Sequence, residues 1–266
     1  MDDNADKQDP VLEAEDVSAT YDGRTVLNHI SLRVHADGVV GLIGPNGSGK
    51  TTLLRLLSGA LRCSAGMVRV MGQGVERFAK RDLARTLAFV PQAVEVPVAY
   101  TVADVVAMGR TPYVSGWAPL SSKDRDAVRR AMALMDVEAL SERPIDELSS
   151  GERQRAIVAM ALAQEPKILL LDEPIAHLDI QHAWTLMSLI AQMNREQQLA
   201  VVVSLHDLNL AAEFCPQLHL LDGGTTAASG AAAEVLDPAI LARVYRHPIE
   251  TIQRGDGRLV VVPGAK

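Results

Sequence analysis

One octet constrains this chain more than anything else in it: Gly44-Pro45-Asn46-Gly47-Ser48-Gly49-Lys50-Thr51, followed by Thr52. The short apolar run 39–43 precedes it, and the helix-compatible stretch 50–58 follows, closed by Gly59 as a C-terminal stop. The spacing GxxxxGK[ST] between a strand and a helix is the pattern of a phosphate cradle. Its glycines let successive backbone N–H groups turn inward around an anion with no Cβ in the way, and the helix start adds its positive dipole end. Lys50 is then placed to reach the β- and γ-phosphates, and Thr51 to offer its hydroxyl to Mg²⁺. A chain carrying this element must feed a strand into a helix, which points to a parallel sheet covered by helices.

The rest of the pattern agrees. Segments 11–20 and 25–34 alternate loosely between apolar and polar residues around Asp22-Gly23, as a hairpin does. Thr101-x-x-Asp104 caps a helix whose Val102, Val105 and Val106 share a face, and 122–135 repeats the theme with a core stripe of Val128, Met132 and Met135. Residues 96–150 therefore read as mostly helical, punctuated by Pro97, Pro112, Pro119 and Pro144. A helix over 152–164 stops before Pro166, and buried-type strands are expected at 167–171 and 199–204. A helix at 208–214, the strand-like 218–221, a helix over 233–245 and a strand at 258–262 complete the chain. The reading is one α/β domain interrupted by a helical insertion of roughly 50 residues, too long for a plain loop and so expected to be functional.

Composition excludes several classes. With 26 basic against 33 acidic residues the net charge is −7, so no phosphate-neutralising surface is advertised and no nucleic-acid partner is expected. Cys63 and Cys215 lie far apart without ligand spacing, as reduced structural thiols would. No apolar stretch approaches the ~20 residues that span a bilayer. Residues 1–10 are acidic and polar, expected to form a disordered tail and unlike a secretion signal, so a cytoplasmic protein is expected.

A second acidic motif completes the chemistry. Leu169-Leu170-Leu171-Asp172-Glu173 ends a buried strand in two carboxylates; Asp172 is suited to hold the metal, and Glu173 to orient or deprotonate an attacking water. The pair implies hydrolysis. His177 and His182, five residues apart with no third ligand, make a poor zinc site and read as packing residues.

Leu148-Ser149-Ser150-Gly151-Glu152-Arg153-Gln154, opening a helix some twenty residues before that acidic strand, resembles the signature loop of ABC-type ATPases. The resemblance covers roughly residues 11–245, with its motifs in order: Tyr21 at the adenine-stacking position, Gln92 in Val90-Pro91-Gln92 as the Q-loop, Ala176-His177-Leu178-Asp179 as the D-loop, and His206 in Ser204-Leu205-His206-Asp207 as the switch histidine. It implies a P-loop NTPase (RecA-like) α/β core with an N-terminal antiparallel β subdomain and an inserted α-helical subdomain, leaving 246–266 as a C-terminal extension. It implies ATP and Mg²⁺, with Glu173, His206 and Gln92 catalytic. It assigns the nucleotide to Tyr21, Gly44, Asn46, Gly47, Ser48, Gly49, Lys50, Thr51, Thr52, Ser149, Gly151 and Asp179, and the metal to Thr51, Gln92 and Asp172. It further implies a homodimer in which the signature loop of each copy closes on the γ-phosphate held by the other. Ser150 stands where the family usually has glycine, Glu152 where it has glutamine, and Ile175 where it has Ser or Thr.

The run from Thr101 to Tyr113, whose Gly109-Arg110 taken by itself also reads as a helix end beside a cationic C-terminal cap, and His206-Asp207-Leu208-Asn209-Leu210-Ala211 resemble the ATPases of importers for iron-siderophore complexes, haem or cobalamin. That branch implies a separate integral membrane permease, an indirectly coupled substrate-binding protein, and peripheral attachment at the cytoplasmic face of the membrane. Two other classes stay open at this point: the ATPase of an exporter, and a soluble ABC ATPase serving no membrane.

Overall fold

The structure is a computed structural model and describes residues 9–21, 23–94, 100–115, 118–255 and 258–265. The expected tail over 1–8, Asp22 of the expected turn, and 96–99 at the start of the expected helical insertion lie outside these. In chain order come β1 (Leu12–Tyr21), β2 (Arg24–Val34), β3 (Val39–Ile43), α1 (Lys50–Leu57), β4 (Ala65–Val70), β5 (Gln73–Gly74), α2 (Lys80–Thr86) and β6 (Leu87–Val90). Then follow α3 (Val102–Met108), α4 (Ser122–Leu134), α5 (Ser150–Leu162), β7 (Ile168–Asp172), α6 (Ile180–Gln197), β8 (Ala200–Ser204) and α7 (Leu208–Phe214). The chain closes with β9 (Gln217–Asp222), β10 (Thr225–Ala231), α8 (Ala232–Val235), α9 (Pro238–Tyr245), β11 (Ile249–Gln253) and β12 (Leu259–Pro263).

Six strands form the central sheet in the order β10-β9-β3-β8-β7-β6, with all neighbours parallel except β10 against β9. Every residue of β3, β7 and β8 is buried, as expected for strands covered on both faces. The period of two divides their side chains between two cores. Ile43, Leu169, Leu171, Val201 and Val203 join the helical insertion, α6 and α7 on one face. Leu42, Ile168, Leu170 and Val202 meet α1 and the antiparallel sheet β2-β1-β4-β5 on the other. The sheet's C-terminal edge, where β3, β7 and β8 all end, is thus the one place where residues of several strands converge.

The insertion is held by chemistry local to each helix. Thr101 and Ser121 form capping boxes with Asp104 and Asp124, satisfying helix-start N–H groups that have no partner inside the helix. Arg110, just past α3 and only 4% exposed, is not the surface cap that its place after Gly109 implies. It donates to Asp124 Oδ1 at 2.9 Å, the Ala163 carbonyl at 2.7 Å and Glu165 Oε2 at 2.8 Å, and lies 3.7 Å over the Tyr113 ring. One guanidinium thereby ties α3 and α4 to the end of α5.

Two helix expectations need correction. The helix expected over 233–245 is two helices, because Pro238 has no N–H to continue the first and Asp237 caps the second through the N–H groups of Ala239 and Ile240. The helix expected from 152 starts at Ser150. Residues 246–266 contain the hairpin β11–β12, docked by a reciprocal pair of bonds: Asn209 Nδ2 to the Val261 carbonyl at 3.2 Å, and Val261 N–H to Asn209 Oδ1 at 2.8 Å.

Candidate nucleotide site

Between β3 and α1 the chain passes through Gly44 (φ 141°), Gly47 (φ 77°) and Gly49 (φ 108°), backbone conformations that side chains resist. At Gly44 the restriction is also one of space, since a Cβ there would sit 2.2 Å from the Leu221 carbonyl oxygen. Lys50 is 5% exposed and its ammonium donates to the Gly44 carbonyl at 2.8 Å and the Pro45 carbonyl at 3.2 Å. Burial lowers its pKa from the ordinary lysine value, while the Glu173 and Asp172 carboxylates favour its charge. Ser48 Oγ is buried inside the loop without a hydrogen-bond partner. A strained loop with an internal cation and an unsatisfied hydroxyl is a preorganised anion cradle.

Beside it opens a cleft of about 160 Å³ lined by Asn46, Gly47, Gly49, Lys50, Thr51 and Thr52, with Glu173 opposite and Val26 on a third side. Glu173 follows the last residue of β7 at φ 49° and its N–H donates to Ser204 Oγ at 2.8 Å. The same hydroxyl donates to Asp172 Oδ1 at 2.8 Å, so Ser204, fully buried at the end of β8, holds both acidic residues in place. Gln92 Nε2 donates to Glu173 Oε2 at 2.7 Å, and His206 Nε2 contacts Glu173 Oε1. Residues from the ends of β6, β7 and β8 thus converge on one carboxylate at the mouth of the phosphate cleft.

The donors suit Mg²⁺. Asp172, 1% exposed, and the Thr51 hydroxyl are hard oxygen ligands, and Gln92, having given its amide N–H to Glu173, retains a carbonyl oxygen. Among the described residues no group of three or more His, Cys, Asp or Glu surrounds a metal position. Few protein donors are what Mg²⁺ requires, because it keeps waters and binds mainly through substrate phosphates.

Other expected site residues lie elsewhere. Tyr21, 38% exposed at the end of β1, does not line the cleft. Ser149 caps α5, its N–H and Oγ donating to Glu152 Oε2 at 2.9 and 2.7 Å and its Oγ accepting from the Glu152 N–H at 3.3 Å. These bonds hold the Glu152 carboxyl below the usual carboxylate range. Asp179 caps α6 through the His182 N–H and contacts His182 Nδ1, both at 2.8 Å. The His182 ring in turn covers Gly151, where a Cβ would lie 2.3 Å from His182 Cδ2. The signature and D-loop segments are therefore packed on each other, and neither lines the phosphate cleft of its own chain. Sequence reasoning missed Val26 and Ser204. A serine ending an otherwise apolar buried strand was a usable signal for Ser204, whereas Val26 carries none.

The fold and cleft define a nucleoside-triphosphate-binding α/β ATPase whose phosphate loop follows β3 and whose metal-side carboxylate ends β7, two strands of one sheet with β8 between them. The chain belongs to the ABC transporter family, which matches residues 27–176. It is 36% identical over 241 residues to the iron(3+)-hydroxamate import ATP-binding protein FhuC of Bacillus subtilis, covering 91% of this chain and 90% of that protein. It is 40% identical over 253 residues to the hemin import ATP-binding protein HmuV of Rhodococcus jostii, covering 95% and 86% respectively. A solved ABC transporter of metal-chelate type in an inward-facing conformation superposes with a TM-score of 0.85 at 27% identity, over 97% of this chain and 99% of the other.

Proposed function

We propose that this chain is the ATP-hydrolysing subunit that powers import of a metal chelate through a separate membrane permease, and that two copies act together. The observation that carries the catalytic part is the Glu173 carboxylate, set at the phosphate cleft and gripped by Gln92 and His206. In this reading the Gly44–Thr51 loop and Lys50 bind the ATP phosphates, Thr51, Asp172 and Gln92 hold Mg²⁺, and Tyr21 stacks on adenine. The metal supplies charge neutralisation across the β- and γ-phosphates. Glu173 accepts a proton from water as its oxygen attacks the γ-phosphorus and the bond to the β–γ bridging oxygen breaks. His206 holds Glu173 from one side and Gln92 from the other, so the carboxylate is oriented before the nucleotide arrives.

Dimer action is supported by what one chain leaves incomplete. The N-terminus of α5, with Ser149 and Gly151, is a second anion-attracting end away from the phosphate cleft, and Asp179 stands beside it. Placed on a partner's γ-phosphate, these residues make ATP affinity differ between open and closed pairs, and that difference is the source of mechanical work. The relatives named for hydroxamate-iron and hemin import support a chelate as cargo, and the helical insertion between Gln92 and Ser149 is the surface suited to a permease helix. No helix of the described residues is long and apolar enough to cross a membrane, so the proposal places the chain peripherally at the cytoplasmic face, with a substrate-binding protein acting outside.

Affinity purification from detergent-solubilised membranes tests this: a polytopic permease should co-purify, and vesicles containing both proteins should take up a labelled ferric siderophore or hemin only with ATP. Recovery with soluble partners alone, or ATP-driven efflux from the cell, would overturn it.

A further inference from the structure

Among the described residues two buried side-chain polar atoms have no hydrogen-bond partner, Ser48 Oγ and the Tyr245 hydroxyl. Both residues line one cleft of about 340 Å³, together with Pro45, Asn46 and Asp222. It is distinct from the phosphate cleft, which Lys50, Thr51 and Glu173 line instead. Tyr245 is the last residue of α9, a helix capped by Asp237, anchored by the buried Leu241 and Val244, and ended by Arg246 at φ 55°. Its ring also lines a second cleft, of about 450 Å³, with Leu208, Asn209, Ile249 and Val261. One aromatic ring therefore stands between the phosphate loop and the C-terminal hairpin.

A buried hydroxyl without a partner is costly, and phenylalanine would fill the same space without that cost. Burial pushes the Tyr245 hydroxyl up to about 12, with the Gly44 backbone N–H acting in the opposite direction. The phenol oxygen thus faces that N–H as an acceptor, short of a hydrogen bond of ordinary geometry. Gly44 is where the loop has least freedom: at φ 141°, a Cβ there would lie 2.2 Å from the Leu221 carbonyl oxygen and 2.9 Å from Ser48 Oγ. An acceptor fixed on the Gly44 N–H sets the first turn of the cradle. Glu173 lines neither of the clefts that Tyr245 lines, so the phenol stands apart from the reacting atoms.

We infer that Tyr245 is a positioning residue for nucleotide binding, its hydroxyl taking the Gly44 N–H as the loop 44–51 tightens on phosphate. The inference rests on the proposed binding of ATP by that loop. A bond completed only with the phosphate in place adds to nucleotide affinity and not to the stability of the fold. It also makes the C-terminal hairpin, which shares the second cleft with the same ring, part of what sets that affinity.

The test compares Tyr245→Phe with wild type as full chains. Titration calorimetry with Mg-ATP should give a Kd about fivefold higher, the worth of one neutral hydrogen bond. Tm measured without nucleotide should be unchanged or raised, since a costly buried hydroxyl is gone, and the rise in Tm on adding ATP should shrink. In steady state KM for ATP should rise while kcat at saturation stays within twofold, because the phenol touches no reacting group. An unaltered Kd overturns the role. So does a Kd that rises only together with a lowered nucleotide-free Tm, which would mark the phenol as packing alone. Lys50→Ala checks the loop independently. An unchanged Kd in that variant would remove the loop as the ATP site, and the proposed function with it; a raised Kd there beside an unaltered one in Tyr245→Phe would remove Tyr245 alone.

Discussion

Glu173→Gln isolates the chemical step, because the structure lets an amide replace the carboxylate without losing either neighbour. Its carbonyl oxygen can accept the Gln92 amide hydrogen now held at 2.7 Å by Glu173 Oε2, and its NH₂ can donate to His206 Nε2 in the neutral tautomer. Only the capacity to take a proton disappears. Removing a general base costs about 10²–10⁴ in rate, so kcat should fall about a thousandfold, equivalent to about 4 kcal/mol of barrier. Affinity should move the other way: a negative charge facing the phosphate cleft is gone, and ATP should bind somewhat more tightly even though Lys50 loses one of the two carboxylates that favour its charge. A coupled ATPase assay gives kcat, a fluorescent-nucleotide titration gives Kd, and light scattering after size exclusion should show an ATP-dependent dimer accumulating. Turnover within tenfold of wild type would remove Glu173 from the role of base. A lost nucleotide affinity would show instead that its contacts with Gln92 and His206 hold the cleft open.

Arg110→Met should cost about 3 kcal/mol by leaving Asp124 without its buried partner, the lower part of the range because Glu165 can turn to water. At about 2.1 cal/mol/K of unfolding entropy for each of 266 residues, calorimetry should find Tm lowered by about 5 °C. Ser121 hydrogen bonds first, with Arg110 assisting, hold the Asp124 carboxyl below its ordinary 3.8. A depressed acid stabilises the fold at pH above 3.8 and loses that contribution as pH falls towards the folded-state value, so the stability gap between wild type and variant should stay constant down to about pH 4 and narrow below it in urea titrations. Gly44→Ala should raise KM for ATP at least about tenfold and destabilise by about 2 kcal/mol, since φ 141° resists a side chain and the Leu221 carbonyl blocks its space; a KM within twofold of wild type refutes the claimed rigidity of the loop. Gly151→Ala should leave thermal stability within about 1 kcal/mol, alanine being favourable in a helix, while displacing His182 from Asp179 and reducing turnover; unchanged kcat would mean that this packing has no part in the reaction.

Much of the site was legible because it is built from contiguous segments. The strand–loop–helix around Lys50, the acids Asp172 and Glu173 at the end of an apolar run, and the capping boxes at Thr101 and Ser149 all follow from short-range spacing, which fixes backbone geometry before any long-range contact forms. Less was legible where the pattern was mixed. The 18-residue α6 carries a stripe of Ala183, Leu186, Met187, Ile190 and Met193, yet it starts directly after a loop motif and its polar residues break the run. β6 is four residues long and β5 two, too short for periodicity to speak.

The sequence by itself determined that a phosphate cradle feeds a helix, that two carboxylates end a buried strand, and that a helical segment separates Gln92 from Ser149. Only the tertiary structure decided what those pieces touch. Parallel strand order brings the ends of β6, β7 and β8 together, so that Gln92, Glu173, Ser204 and His206 meet although up to 114 positions separate them. Arg110 became a buried tie rather than a surface cap for the same reason. The hairpin after α9 walls a cleft whose opposite side is made by residues about 40 to 90 positions earlier in the chain. Contacts of that range depend on how strands are ordered and faces packed, which local spacing does not encode.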